Sequence, residues 1–247
     1  MPGIDPAVLK RWKTDHPGRH ASGIDEINIK LNEWAQLQKF VSKGTIAAIR
    51  KSNKNGVSVA SELRSVAIMF TDFRNYTAFA ENRVPVAVVD MLNHYFRHFD
   101  KIVTRNHGDI DKFVGDQVMV IFQGANRVRD SVMCSLDIQD LMDELNSEKA
   151  GPVLEVGIGL HVGDVIMGTI GSRRRMDYTV LGDNVNLAAR LCEHAHPRQT
   201  LVSESVSKQI RSCKNTALKH FRQIRLKGVS KRVKVFEVLR TRSPLEG

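Results

Sequence analysis

Two aspartates of this 247-residue chain stand at the ends of short apolar runs, where a carboxylate is available to a divalent cation. Asp72 follows the apolar run 66–71, and Asp116 stands beside Gly115 between two further apolar runs. A Gly-Asp pair in that setting predicts a two-residue β-hairpin turn, which projects Asp116 out of the sheet. On adjacent strands, the two carboxylates could hold a pair of cations, a standard apparatus for phosphoryl transfer.

The elements that position these residues follow from the hydrophobic pattern of the chain. Strands are predicted over 66–71, in the hairpin within 109–122, and over 154–162, 165–170, 200–203, 221–226 and 233–239. Helices are predicted over 75–80, 84–107, 126–146, 186–194 and 206–211. The order β-α-α-β-β-α-β predicts a ferredoxin-like α+β fold, with an antiparallel sheet and helices on one face.

An N-terminal extension precedes this domain and is predicted to be helical. Apolar residues recur every three or four positions over 24–41, which predicts an amphipathic helix with a stripe narrow enough to pair with a second helix. This helix either docks on the main domain or couples it to an upstream sensor or transducer. A short helix over 45–50 and a linker over 52–56 follow. The chain thus divides into an irregular segment at 1–22, a helical coupling or dimerisation segment with its linker at 23–56, and a main domain at 57–247.

Composition limits the classes of function. A hydrophobic content of 42% and a charged content of 26% predict a globular domain, and no apolar run approaches the roughly 20 residues that span a bilayer. The three scattered cysteines lack metal-ligand spacing and are typical of reduced thiols in a cytoplasmic protein. A net charge of +10 raises nucleic acid or anionic lipid as a partner, with a solvated basic surface as the alternative. The content of 3 Tyr and 2 Trp without a stacking motif argues against nucleic acid.

Four separated motifs then occur in a fixed order: Met69–Phe73, Lys112–Asp116, Met176–Arg190 and Leu226–Gly228. Through these motifs the chain resembles the class III adenylyl/guanylyl cyclase catalytic domain over about residues 65–239. Each motif is weak alone, and their joint presence is specific. The resemblance implies the βααββαβ core of that family. It also implies cyclisation of a nucleoside triphosphate, in which the ribose 3′-oxygen attacks the α-phosphorus and pyrophosphate leaves.

The resemblance implies a metal site and a phosphate loop. Asp72, Asp116 and the Phe73 carbonyl match the family's metal ligands, with two Mg²⁺ or Mn²⁺ ions per active site. The backbone N–H groups of the following loop and helix N-terminus are expected to receive the β- and γ-phosphates. The residues of that loop are Phe73, Arg74, Asn75, Tyr76 and Thr77. The alternative is that each aspartate only caps a turn or helix and that the loop is an ordinary connection.

The resemblance also implies the residues that act on ribose and phosphate. Asn186 and Arg190 are four positions apart and share a helix face. The matching Asn of the family orients the ribose, and the matching Arg contacts the phosphates. Lys227 matches a lysine that reaches the phosphates from a hairpin loop, and Lys231 is a nearby rival for that role. Without the motif, an Asn-x₃-Arg pair would be read as a solvated helix face.

Two residues match the positions that select the base. Lys112 stands where adenylyl cyclases have Lys and guanylyl cyclases typically have Glu, and a Lys can donate to adenine N1. Thr179 stands where the exocyclic group is read, as in a bacterial-type subgroup of adenylate cyclases. A hydroxyl can accept from the adenine 6-amino group, but it can also donate to the guanine 6-oxo group. Lys112 therefore carries most of the prediction that the substrate is ATP.

The family divides each site between two subunits, with the aspartates on one and the Asn/Arg pair on the other. This chain carries both sets, so a homodimer with two equivalent interfacial sites is expected. The arginine-rich stretch 172–176 is either an arm that contacts the partner or a solvated basic loop. The predicted function is an adenylate cyclase in cyclic nucleotide signalling. The alternatives are a guanylate cyclase and, less favoured, a nucleotide-binding regulatory module without turnover.

Overall fold

The computed structural model of the protein describes residues 20–55, 61–81, 83–148, 153–172, 175–211, 213, 215–224 and 232–241. The chain divides into two compact units at 1–42 and 43–247. The first contains helix α1, His20–Leu37, and a 3-10 turn at Gln38–Phe40. Helix α1 confirms the expected N-terminal helix, although it begins four residues earlier than the apolar stripe. Its Ile27, Leu31 and Trp34 are exposed.

The second unit is an α+β domain built on one sheet. Its helices are α2 Lys43–Asn55, α3 Tyr76–Glu81, α4 Pro85–Arg105, α5 Arg127–Glu148, α6 Asp183–His194 and α7 Glu204–Gln209. Its strands are β1 Glu62–Phe73, β2 Gly108–Val114, β3 Gln117–Phe122, β4 Val156–Ser172, β5 Arg175–Leu181, β6 Thr200–Ser203, β7 Thr216–Ile224 and β8 Val233–Arg240. No helix in the described ranges is both long enough and apolar enough to cross a membrane.

The first four strands confirm the ferredoxin-like core. They lie in the order β2-β3-β1-β4, all neighbours are antiparallel, and the sheet continues through β6, β8 and β7. β5 pairs with β4, as the second strand of a hairpin, and lies off the main strand order. Strand β1 lies at the centre of the core and carries the first predicted metal ligand, Asp72, near its end. The α+β class predicted from the hydrophobic pattern is therefore confirmed.

Both faces of β1 are buried, so the prediction of helices on one face was wrong. Ala67 and Met69 pack in the cluster that α4 and α5 cover. Val66 and Ile68 point the other way, into a cluster that includes residues of α6. A strand that is apolar at every position is typical of a sheet covered on both sides, and 66–70 is such a run. Helix α6 is the cover on the second face.

Three details of the predicted helices and strands also differ from the structure. The strands predicted over 154–162 and 165–170 are one strand, β4, because Gly163 continues the ladder by pairing with Val66. Strand β5 was not predicted as a strand. Helix α2 continues through Asn55, so the linker expected from residue 52 was wrong for residues 52–55. The domain boundaries at 22/23 and 56/57 stay predictions.

Candidate active site

The two predicted metal ligands lie at the same end of two neighbouring strands of the sheet. Asp72 is near the end of β1, and Asp116 lies in the turn of the β2–β3 hairpin, where Gly115 has the positive φ of 65° that such a turn requires. Because β1 and β3 are neighbours, the carboxyl groups of Asp72 and Asp116 are close enough to interact electrostatically. Burial and the nearby Asp116 raise the pKa of Asp72 to about 6.

This carboxyl pair fits a hard divalent cation. Two partly buried carboxylates in contact repel each other, and a cation between them would remove that repulsion. Among the described residues, no group of three or more His, Cys, Asp or Glu side chains could hold a metal ion. Mg²⁺ is typically held by one or two carboxylates together with substrate phosphates and water. Two carboxylates would therefore suit a cation that also coordinates substrate phosphates and water.

The Arg74 side chain ties this pair to helix α6. Its guanidinium donates to Asp72 Oδ2 at 3.0 Å and to the carbonyl oxygen of Cys192 at 2.5 Å. It lies over Gly157, where a Cβ atom would fall 2.0 Å from Nη2. The glycine thus leaves the space that the guanidinium fills. Arg74 was predicted only as part of a phosphate loop, and its side chain in this structure connects β1 to the end of α6.

The rest of the predicted phosphate loop is anchored by one aromatic ring. Phe73 is buried, with its ring centroid 5.3 Å from that of Tyr95 and 6.0 Å from that of Phe99. Asn75 has a positive φ of 59°, and α3 begins immediately after it. Tyr76 packs partly on the core and Thr77 is exposed. The Phe73 carbonyl as metal ligand and this loop as phosphate site stay predictions.

The two predicted base-reading residues lie around one carboxylate. Lys112 Nζ is 3.4 Å from Asp111 Oδ2 and 3.4 Å from Asp177 Oδ2. The Thr179 hydroxyl donates to the same Asp111 Oδ2 at 2.7 Å. Thr179 is 8% exposed, whereas Asp177 has a side-chain exposure of 77%. Lys112 and Thr179, 67 positions apart in sequence, are therefore brought together at one point.

Asp111 is a site residue that sequence reasoning missed. Ile110 pairs with Val120 and Lys112 pairs with Met119, so Asp111 is the extra residue of a β-bulge. Its side chain is 3% exposed. Burial raises the pKa of Asp111, while the Thr179 hydrogen bond and Lys112 lower it. The available signal was an aspartate within a predicted strand of the sheet, because a buried carboxylate needs partners.

Asn186 and Arg190 lie on the outward side of α6. Asn186 is exposed and the Arg190 side chain is 41% exposed, while Ala188 and Cys192 on the opposite side are buried. Arg190 Nη1 is 2.6 Å from a carboxylate oxygen of Glu193, one turn further along the helix. The pair therefore shares a face, as its spacing predicts, and that face is open to a ligand or a second chain.

The start of α6 is held by a buried polar network. His161 Nε2 donates to Asn184 Oδ1 at 2.8 Å, and the Ser203 hydroxyl is 2.8 Å from His161 Nδ1. The Asn184 amide donates to the Asp164 carbonyl oxygen at 2.7 Å, which fixes its orientation. Burial lowers the pKa of His161, so the ring is neutral at pH 7. This network sets the position of the helix that carries Asn186 and Arg190.

The described contacts of Arg190 do not include the carboxyl pair. Its guanidinium pairs with Glu193, whereas the charged groups that act on the Asp72 carboxyl are Asp116 and Arg74. Lys227 and its rival Lys231 lie outside the described residues. Of the predicted arm at 172–176, residues 173 and 174 also lie outside them. The flanking residues belong to the β4–β5 hairpin, which pairs Ser172 with Arg175.

Comparison with known sequences agrees with these motifs. A sequence model described as the adenylate and guanylate cyclase catalytic domain matches residues 58–239. The chain belongs to this cyclase family. An adenylate cyclase of Anabaena cylindrica is 29% identical over 245 residues, which cover 92% of the chain and 49% of that protein. A terminal-differentiation-specific adenylate cyclase of Dictyostelium discoideum is 30% identical over 82% of the chain and 10% of its own length. The chain thus spans half or less of these curated cyclases.

Solved cyclase structures share the fold. The adenylyl cyclase CyaB of P. aeruginosa matches with a TM-score of 0.67 and 30% identity, over 76% of this chain and all of that one. The guanylyl cyclase Cya2 matches with 0.68 and 29%, over 75% and 96%. A bacterial light-regulated adenylyl cyclase matches with 0.76 and 25%, over 90% and 66%. Because adenylyl and guanylyl cyclases match equally well, overall similarity does not choose the nucleotide.

Proposed function

We propose that this chain is an adenylate cyclase that converts ATP to 3′,5′-cyclic AMP and pyrophosphate in cyclic nucleotide signalling. The observation that carries the choice of ATP is the cluster in which Lys112 and Thr179 meet at Asp111. A lysine ammonium can only donate, which suits adenine N1, whereas guanine N1 carries a proton and requires an acceptor. The relative from Anabaena cylindrica is named as an adenylate cyclase and supports the same choice.

The carboxyl pair and the following loop would bind the triphosphate end. Asp72, Asp116 and the Phe73 carbonyl would hold two Mg²⁺ or Mn²⁺ ions. When bound, these cations supply charge that lowers the pKa of the ribose 3′-hydroxyl and neutralises the triphosphate. The backbone N–H groups of residues 73–77 would orient the β- and γ-phosphates. This loop can direct its amides outward because the Phe73 ring is fixed in the core.

The outward face of α6 would act on the reacting groups. Asn186 would hydrogen-bond the ribose, and Arg190 would contact the α-phosphoryl oxygens, with Lys227 as a further phosphate contact. The 3′-oxygen forms a bond to the α-phosphorus as the bond to pyrophosphate breaks, and a planar guanidinium stabilises the charge that develops. No side chain of the motifs is placed as a general base, so the 3′-hydroxyl proton passes to water or to a substrate phosphate.

A homodimer would complete two such sites. The aspartates of one chain would face Asn186 and Arg190 of its partner, because the side of α6 that carries this pair is exposed and available to a second chain. The β4–β5 hairpin exposes the apolar side chains of Ile166, Met176 and Leu181. Burying such side chains against a second copy is favourable by about 25 cal/mol per Å². This surface therefore supports a dimer with isologous symmetry.

Helix α1 is proposed to carry the input from an upstream sensor or transducer, and the protein is proposed to be cytoplasmic. The apolar side chains of α1 are exposed and suit pairing with another helix. The chain spans half or less of the curated cyclases above, so a sensor that regulates this domain is proposed and its identity is left open. The scattered, free cysteines agree with a reducing compartment.

Product analysis tests the proposed activity. The chain is incubated with ATP or GTP in Mg²⁺ or Mn²⁺, and cyclic nucleotide and pyrophosphate are quantified for the wild type and Asp72→Ala. We expect cyclic AMP from ATP and at least a 100-fold loss in the variant, the order of magnitude lost with one electrostatic group. A preference for GTP would indicate the guanylate cyclase alternative. Tight ATP binding without turnover would indicate a regulatory module.

A further inference from the structure

The Thr179 hydroxyl has only one proton, and this structure shows where it goes. A threonine hydroxyl carries one O–H donor and two acceptor lone pairs, and an ionised carboxylate can only accept. At 2.7 Å from Asp111 Oδ2, the Thr179 oxygen therefore donates its proton to Asp111. What remains free on the hydroxyl is acceptor capacity. The ambiguity of a threonine at this position is removed by its neighbour.

We propose that Asp111 is a specificity-determining positioning residue, which makes Thr179 an acceptor for the adenine 6-amino group and thereby sets ATP over GTP. This inference rests on the proposed cyclase function and deepens it. To donate to a guanine 6-oxo group, Thr179 would first have to give up its hydrogen bond to a carboxylate whose side chain is 3% exposed. Leaving a buried charge without that partner is costly, so the GTP-compatible orientation is disfavoured.

The same carboxylate also acts on the donor of the pair. Lys112 Nζ is 3.4 Å from the Oδ2 atom of Asp111 that accepts from Thr179. The other carboxylate near Lys112 belongs to Asp177, which is largely exposed and screened by water. Asp111 therefore places an obligatory donor and a committed acceptor at one point. Adenine presents the complementary pair, because N1 accepts and the 6-amino group donates, whereas guanine presents the reverse.

A purely structural role would predict something different. Asp111 occupies a β-bulge, and its substitution could disturb β2 and lower activity with both nucleotides equally. A role in base selection changes the ratio of kcat/KM for ATP to kcat/KM for GTP and depends on Thr179. The ratio is thus the decisive readout, because a general loss of activity cancels from it.

The test is Asp111→Asn in the full chain, assayed with ATP and GTP. An asparagine amide has the size of a carboxylate but can donate to Thr179, which frees the hydroxyl to donate to guanine. We expect the ratio of kcat/KM values to fall about tenfold, the order expected for one hydrogen-bond reversal. In a Thr179→Val background the same substitution is expected to change the ratio clearly less, because only the contact of Asp111 with Lys112 then remains.

Asp109→Asn is the matched control. Asp109 lies on the same strand, but its carboxylate accepts from the backbone N–H groups of Lys43 and Gly44 at the start of α2. Its substitution is expected to leave the nucleotide ratio at the wild-type value. If Asp111→Asn does not fold by circular dichroism, Asp111→Ser replaces it. Serine also removes the acceptor-only group, so the same fall in the ratio is expected.

Two results would overturn the inference while leaving the cyclase activity intact. One is that Asp111→Asn leaves the ATP-to-GTP ratio of kcat/KM at the wild-type value although Thr179→Val changes that ratio. The other is an equal change caused by Asp111→Asn with and without the Thr179 hydroxyl. Failure of the proposed function looks different, because the wild type itself would then release no cyclic nucleotide or would prefer GTP, and either result rejects both proposals.

Discussion

At the scale of single residues, the carboxyl pair is a stability cost that function would explain. Burial and Asp116 raise the pKa of Asp72 to about 6 from an ordinary 3.8, so the folded chain binds this proton more tightly than the unfolded chain. The resulting stabilisation is full below pH 3.8 and is lost as the pH rises through 6. At pH 7 without metal, an ionised Asp72 therefore destabilises the fold.

Replacing Asp72 by Asn is expected to stabilise the metal-free fold while it removes the activity. We expect a gain of about 1–2 kcal/mol in the free energy of unfolding at pH 8, and a smaller gain at pH 5. Urea unfolding in the presence of a chelator measures both values. Asp177→Asn, at an exposed position, serves as the control and should change stability by less than about 0.5 kcal/mol. An equal gain at both pH values would contradict the sign of the shift.

Asn75 supplies a backbone conformation that few residues tolerate. Its φ of 59° lies in the left-handed region, where Asn and Gly are the favoured residues. Asn75→Gly is therefore expected to leave the midpoint of thermal unfolding nearly unchanged. Asn75→Ala is expected to lower stability by about 1 kcal/mol and to displace the loop that precedes α3. Equal stability of the Ala and Gly variants would show that the backbone here is not strained.

At the scale of elements, helix α6 packs directly on Gly159 of β4, and the Arg74 side chain lies over the nearby Gly157. A Cβ atom at Gly159 would fall 2.2 Å from the Cys192 backbone nitrogen and 2.5 Å from the Ala188 carbonyl oxygen. These are backbone atoms, so the whole helix would have to move. At Gly157 the nearest atoms belong to the Arg74 guanidinium, which is the far end of a flexible side chain. An added Cβ atom would thus displace helix backbone at Gly159 but only a flexible side chain at Gly157.

Gly159→Ala is accordingly expected to cost about 3 kcal/mol of stability and to displace Asn186 and Arg190. Gly157→Ala is expected to cost only about 1 kcal/mol, because Arg74 can leave its place, but it breaks the link between Asp72 and α6. Chemical denaturation of both variants measures the difference. A larger loss for Gly157→Ala than for Gly159→Ala would contradict this seating of the helix.

The elements that sequence alone predicted are those defined by local patterns. The β2–β3 hairpin, β1 and the long helices α4 and α5 follow from periodicity and one turn signal. Strand β5 carries polar residues and exists through its pairing with β4, which no local pattern shows. The packing of α6 depends on Gly159 of β4, a strand that is distant in sequence. Long-range partners therefore account for what was missed.

At the scale of the whole molecule, the candidate site also combines features that local patterns predict with features that depend on distant residues. The approach of Asp72 to Asp116 was predictable, because each stands at a recognisable strand end and the strands are neighbours. The role of Asp111 was not, because it depends on a β-bulge and on Thr179, 68 positions away. Asn186 and Arg190 lie on the exposed side of α6, and the proposed dimer would bring them to the carboxyl pair of the partner chain.

The central claim is that two copies of the chain share each active site, and complementation of two inactive variants tests it most directly. Asp72→Ala and Arg190→Ala are expected to be inactive alone, because each damages both sites of its own homodimer. Co-expressed, they form about half heterodimers with one intact site of two, so about a quarter of the wild-type cyclic AMP production is expected. No recovery in the purified heterodimer, or full activity of either variant alone, would contradict the shared site.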